Sequence, residues 1–186
     1  MPLIRIKWGV LCALLLVITS SCVRDVDLDQ AENVVLEPVV DLNLVYFNLE
    51  GGRFFDLSQN IPVPTLRDTT EIRFLDDTDI QESLKQVDFL FRFSNTVPRG
   101  FEVDYRFISE QNDTTYTFGT TVPIGSADDP TLHEFLEVVE GDAVLELTKA
   151  NRLVVEVTIE GPDPVLPGSL EMQSAATYYL EITDRE

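Results

Sequence analysis

Between residues 87 and 107 the chain alternates apolar and polar positions with a period of two. Val87, Phe89, Phe91 and Phe93 fall on one side, Asp88, Arg92 and Ser94 on the other. A helix with 3.6 residues per turn does not produce this spacing, whereas a half-buried strand requires it. Phe101, Val103, Tyr105 and Phe107 repeat the pattern against Glu102, Asp104 and Arg106. Asn95 to Gly100, containing Pro98, supplies turn chemistry between the two runs, so they are expected to form a hairpin. Further strands are expected at Leu42 to Asn48, Arg53 to Leu57, Glu71 to Leu75, Thr114 to Thr121, Arg152 to Glu160 and Thr177 to Thr183. In the run from Arg152, Leu153, Val155, Val157 and Ile159 share the inward face.

Two segments carry helical spacing. Asp129-Pro130 can cap and start a helix in which Leu132, Phe135, Leu136 and Val139 make the apolar face. His133 would then face solvent. Thr78 to Gln86 is a second, shorter candidate, with Gln81 at the capping-box position. Gly161 to Ser169 holds Pro162, Pro164 and Pro167 and is expected to be a stiff loop. Short alternating strands separated by Gly and Pro turns predict one antiparallel β-sandwich over residues 39–186, immunoglobulin-like in the loose sense, with one or two short helices. The tyrosine corner and paired cysteines of true immunoglobulin domains are absent or unrecognisable, and the pattern leaves the topology open.

The amino terminus follows another logic. Arg5 and Lys7 precede an apolar run from Trp8 to Ile18, and Thr19-Ser20-Ser21-Cys22 follow it. This is the build of a secretory signal, and the run is shorter than the roughly 20 apolar residues that a membrane-spanning helix needs. The small residues ahead of Cys22 resemble the lipobox of bacterial lipoproteins. That resemblance implies removal of residues 1–21 and attachment of a diacylglyceryl group to the Cys22 thiol. Thr19 stands where the lipobox usually has Leu, and ordinary signal cleavage near the same place is the alternative. The acidic stretch from Val23 to Glu32 resembles export signals of surface lipoproteins of the Bacteroidota, and Val23 beside the cysteine resembles lipoproteins passed on to the outer membrane. Residues 22–38 are accordingly expected to be an acidic tether, with exposure on the outer face favoured over the periplasmic face.

Composition narrows the chemistry. The chain carries 33 acidic and 13 basic side chains, a formal charge of −20, which repels the phosphate backbone, so no nucleic acid partner is expected. Two Cys and one His cannot build a four-thiolate or His-rich metal site; Cys12 and the lone Trp8 leave with the signal. Asp25, Asp27 and Asp29 start like a calcium loop, but Gln30 and Leu36 occupy the positions that need Gly and Glu. Asp76, Asp77 and Asp79, or Asp128 and Asp129, are read as solvated turn caps, with a cation clamp as the alternative. No metal or cofactor is expected. His133 beside Glu134 lacks a G-x-S-x-G nucleophile elbow, and no catalytic residue is assigned.

Sugar binding through exposed aromatics would draw on Phe54-Phe55 or Tyr178-Tyr179, since adjacent strand residues face opposite sides; covered outer faces are the favoured reading. Asn112-Asp113-Thr114 is read as a turn. The function expected is a non-enzymatic, outer-membrane-anchored binding or accessory module whose partner is an envelope protein or glycan. A small envelope or secreted hydrolase is the competing class; it requires clustered carboxylates in a cleft.

Overall fold

The computed structural model describes residues 35–72 and 78–183. Cys22, the signal segment, residues 22–34 of the tether, Asp76 and Asp77 lie outside the described residues. Eight main strands follow one another: β1 (Val39–Glu50), β2 (Thr65–Glu71), β3 (Leu84–Asn95), β4 (Phe101–Ser109), β5 (Thr114–Val122), β6 (Thr131–Glu140), β7 (Ala150–Ile159) and β8 (Ser169–Leu180). Two short helices interrupt them, α1 (Thr78–Ser83) before β3 and α2 (Asp142–Leu147) after β6.

Pairing is nested. β1 lies beside β8, β2 beside β7, β3 beside β6 and β4 beside β5, all antiparallel. Cross-pairs β8–β3 and β7–β4 complete two four-stranded sheets in the orders β1-β8-β3-β6 and β2-β7-β4-β5. A long hairpin folded over on itself in this way is a jelly roll. The sandwich expected from the alternating strands is therefore present, and its topology is now fixed.

Residues 84–109 correct the expected hairpin. β3 and β4 belong to opposite sheets, and Asn95 to Gly100 is an arch between them. Their aromatic rows do share an interior, but from opposite walls: Phe91 and Tyr105 have ring centroids 4.2 Å apart, Phe89 and Phe107 5.2 Å. Two strands whose buried rows face one another across a core alternate just as two strands within one sheet do. Asn95 holds the arch. Fully buried, it donates through Nδ2 to the carbonyls of Arg99 (2.8 Å) and Pro123 (2.7 Å), while its Oδ1 accepts the Val97 N–H (2.8 Å). Gly125 closes over this knot; a Cβ there would stand 1.8 Å from the Asn95 carbonyl oxygen.

Other segments differ in instructive ways. The helix expected from Asp129 is strand β6, with Phe91 opposite Phe135 and Phe93 opposite His133. Positions 132, 135, 136 and 139 satisfy helical spacing, but Leu132, Leu136 and Val138 point outward and are exposed. β-Branched Thr131, Val138 and Val139 suit a pleated strand. β2 runs from Thr65 to Glu71, and residues 73–75 of the strand expected at Glu71 to Leu75 lie outside the described residues. Arg53 to Leu57 is a 3₁₀ turn, Gly51–Phe54, followed by a two-residue pairing of Phe55–Asp56 with Ile61–Pro62. α1 forms where expected and stops at Ser83, whereas α2, unforeseen, buries Val144 and Leu147.

The core is an aromatic seam. Tyr105 stacks on Phe118 at 4.8 Å and donates its hydroxyl to the Met172 sulfur at 3.1 Å. Burial pushes Tyr105 up and Tyr178 up to about 12. Tyr116 is also raised to about 12, by burial and then by its hydrogen bond to Glu137, and Tyr179 is raised by its bond to Asp88. An unfolded chain ionises its tyrosines near pH 10, while the folded chain retains those protons. Stability is thus intact below about pH 10 and falls as pH rises further. Thermal melts between about pH 9 and 11 should show this fall together with a delayed tyrosinate absorbance; a flat midpoint would contradict it.

Candidate functional site

The sandwich has two lateral edges, and they are built differently. At the β5/β6 edge three side-chain rungs span the gap between the sheets. Tyr116 donates its hydroxyl to Glu137 Oε1 at 2.6 Å, the Phe118 and Phe135 rings lie 6.0 Å apart, and Thr120 Oγ1 sits 3.0 Å from His133 Nε2. That edge is closed.

The β1/β2 edge is open. Between Val45, Phe47 and Leu49 of β1 and Leu66, Asp68 and Thr70 of β2 lies a cleft of about 350 Å³, floored by Val155 and Val157 of β7. Its origin is local. Leu66, Asp68 and Thr70 share the inward face of β2, because Val157 and Val155, opposite Leu66 and Asp68, are core residues. Only one of the three is apolar. Asp68 and Thr70 are short and polar and leave the β1 side chains half-buried. Ser174 of β8 stitches a bulge in β1, its hydroxyl accepting the Val45 N–H at 2.9 Å and donating to the Val45 carbonyl at 2.8 Å.

Charge at the cleft is unevenly satisfied. Most Lys and Arg side chains among the described residues are ion-paired: Arg67 and Arg106 both grip Glu156 on the outer face of the β2-β7-β4-β5 sheet, Arg92 meets Glu134, Lys85 meets Glu181 and Lys149 meets Glu146. Arg53, exposed at the end of the cleft, has no ion pair or hydrogen bond among the described residues. Among the described residues Asp68 accepts only the N–H of the adjacent Thr69, at 2.8 Å. Among the described residues it is the one carboxylate that lines the cleft.

The candidates read from sequence are not brought together. His133 lies inside the β5/β6 edge rather than on a solvent-facing helix, with its ring 6.0 Å from Phe93. Phe54 is buried against Phe101, and Phe55 is half-buried. Tyr178 is buried; Tyr179 is half-buried and donates to Asp88 Oδ2 at 3.1 Å. Asp128 and Asp129 are exposed in the β5–β6 connection, Asp79 stands in α1, and Asn112 takes a positive φ of 69° in the turn expected there. Among the described residues no three His, Cys, Asp or Glu side chains are grouped to hold a metal ion. Arg53 and Asp68 were missed, and the available signal was weak: an Arg after Gly-Gly, and a strand with a single aliphatic residue.

No protein-family model matches the chain, and no curated protein matches it. Similarity to solved structures is one of fold. A candidate secreted protein from Parabacteroides distasonis aligns with a TM-score of 0.45 at 11% identity, over 61% of this chain and 37% of that one. The VP2 subviral particle of infectious bursal disease virus aligns with a TM-score of 0.47 at 10% identity, over 77% and 32%. Desmodium yellow mottle tymovirus gives 0.30 at 8% identity, over 83% and 91%. The chain spans about a third of the length of the first two.

Proposed function

We propose that the chain is a non-enzymatic binding or accessory module of the cell envelope, anchored in the outer membrane through lipid on Cys22 and held off the surface by residues 22–38. The β1/β2 cleft is its contact region. The observation that carries the binding role is the contrast between the edges: cross-sheet rungs close one, while the other leaves apolar side chains of β1 half-buried beside an unpaired Arg53. Open apolar concavity rimmed by a few polar groups is the usual form of a binding site. Anchoring rests on the Thr19-Ser20-Ser21-Cys22 motif, and several acyl chains on one cysteine hold far more firmly than one.

Fractionation tests both halves. Wild-type chain is expected in the membrane fraction with a diacylglyceryl mass on Cys22, and Cys22→Ala is expected to lose both. A Cys22→Ala chain that still sediments with membranes without lipid would overturn the anchor. Leu66→Arg, which fills the cleft and adds charge, should keep membrane association and lose the partner recovered by mild crosslinking. Recovery of that partner undiminished would remove the cleft from the reading. Protease treatment of intact cells reports the face: digestion before lysis places the module outside, and full protection places it on the periplasmic side.

A further inference from the structure

We infer that β2 accepts a fifth strand: the ligand of the cleft is an extended peptide that runs antiparallel to β2 and ends in a free carboxylate at Arg53. This deepens the proposed function and rests on the cleft being the contact region. Among the described residues β2 pairs only with β7, and β1 only with β8. Each therefore presents backbone N–H and C=O groups along its outer side, which only another polypeptide continues as a ladder. A glycan or a lipid could fill the apolar volume, but neither extends the sheet.

Direction follows from the chain path. Arg53 precedes Phe54, whose carbonyl accepts the Val63 N–H at 2.9 Å, two residues before β2 begins at Thr65. Arg53 thus stands at the amino-terminal end of β2. A strand laid antiparallel on β2 brings its own carboxyl end there. A guanidinium with all its donors free is matched to a carboxylate, which it can grip bidentately.

Side-chain preference follows from the pleat. The guest residue opposite Leu66 points into the cleft toward Leu66 and Val157, so it is apolar. Two residues earlier the guest side chain lies opposite Asp68, whose carboxylate accepts only a neighbouring backbone N–H, and a basic residue satisfies it. The guest therefore ends in basic, any, apolar, and a free carboxylate. An inward-pointing charge on an edge strand also discourages indiscriminate strand addition; Asp68 admits a basic guest and rejects an apolar or acidic one.

The test uses the full chain in detergent and a dye-labelled heptapeptide ending in lysine, threonine, leucine and a free carboxylate, with binding read by anisotropy. Amidating the carboxylate and replacing Arg53 (Arg53→Gln) are each expected to weaken binding by about tenfold or more, and not to compound when combined, because both remove one contact. Replacing the guest lysine by glutamate should abolish binding to wild type, and Asp68→Asn should relieve that penalty. N-methylation at alternate guest positions should abolish binding, since it removes ladder donors. Equal binding of all these peptides, or binding of none, overturns the inference. An anilinonaphthalene sulfonate dye separates the two levels. If the dye binds wild type and not Leu66→Arg while no peptide binds, the cleft stands and the strand fails; if neither binds, the cleft fails as well.

Discussion

Phe91→Ala is expected to lower the unfolding free energy by about 3–5 kcal/mol. Phe91 is fully buried at the midpoint of β3 and touches both sheets. Its ring lies 4.2 Å from Tyr105 and 5.7 Å from Phe118 in one sheet, and 6.2 Å from Phe135 on neighbouring β6 in the other. Truncation loses the transfer free energy of the ring and leaves a cavity lined by large planar side chains that cannot collapse into it. Stability of a domain this size is of order 5–15 kcal/mol, so the loss takes a large fraction. Leu132→Ala, on the outer face of β6 at 80% exposure, should change stability by less than about 0.5 kcal/mol. Urea unfolding decides it, through a shifted midpoint with unchanged slope. Equal effects at the two positions would mean that the aromatic seam is not the core.

The same pair of residues shows how far the sequence can be read. Alternation reports which face of a strand is buried, and it does so correctly for Phe89, Phe91, Tyr105 and Phe107. It does not report the neighbour, because hydrogen-bond partners are chosen by connection geometry and by strands far along the chain. An arch held by Asn95 looks like a hairpin turn when only Pro98 and Gly100 are counted. Leu132 misled for a related reason: an exposed leucine on an edge strand counts toward a helical stripe as readily as a buried one.

The candidate site was harder still. A cleft is a difference between two edges, and nothing local says that Leu66 and Phe47 will lie at one edge while Phe118 and Phe135 meet at the other. β2 itself, Thr-Leu-Arg-Asp-Thr-Thr-Glu, has almost no apolar signal because half of its inward face is the open cleft. Arg53 becomes distinctive only after the other described cations are seen to be held by carboxylates or by carbonyl and amide oxygens. The Cys22 proposal is of another kind: it rests on residue order alone, and Cys22 lies outside the described residues.

Asn95→Asp isolates the arch, and its pH dependence carries the argument. The substitution keeps size and shape but turns the Nδ2 donor into an oxygen facing the Arg99 and Pro123 carbonyls, which now lie 2.8 Å and 2.7 Å from that amide nitrogen. The other oxygen still accepts from Val97. Ionised, the new carboxylate is buried against two carbonyl acceptors, a cost of about 3–5 kcal/mol near neutral pH. Protonated, it can donate to one carbonyl and leaves a single acceptor unmet, a cost of about 1–3 kcal/mol. Its folded pKa is therefore raised above the ordinary aspartate value of about 3.9. Between the two values the folded chain holds a proton that the unfolded chain has released, so stability is greatest below about pH 4 and declines as pH rises through the folded pKa. Asn95→Ala removes all three hydrogen bonds without adding a charge, and its stability relative to wild type should not vary with pH. At neutral pH the aspartate variant should be the weaker of the two, and the order should close or reverse toward pH 4. Parallel pH profiles for the two variants would show that the amide of Asn95 does not hold the crossing between the sheets.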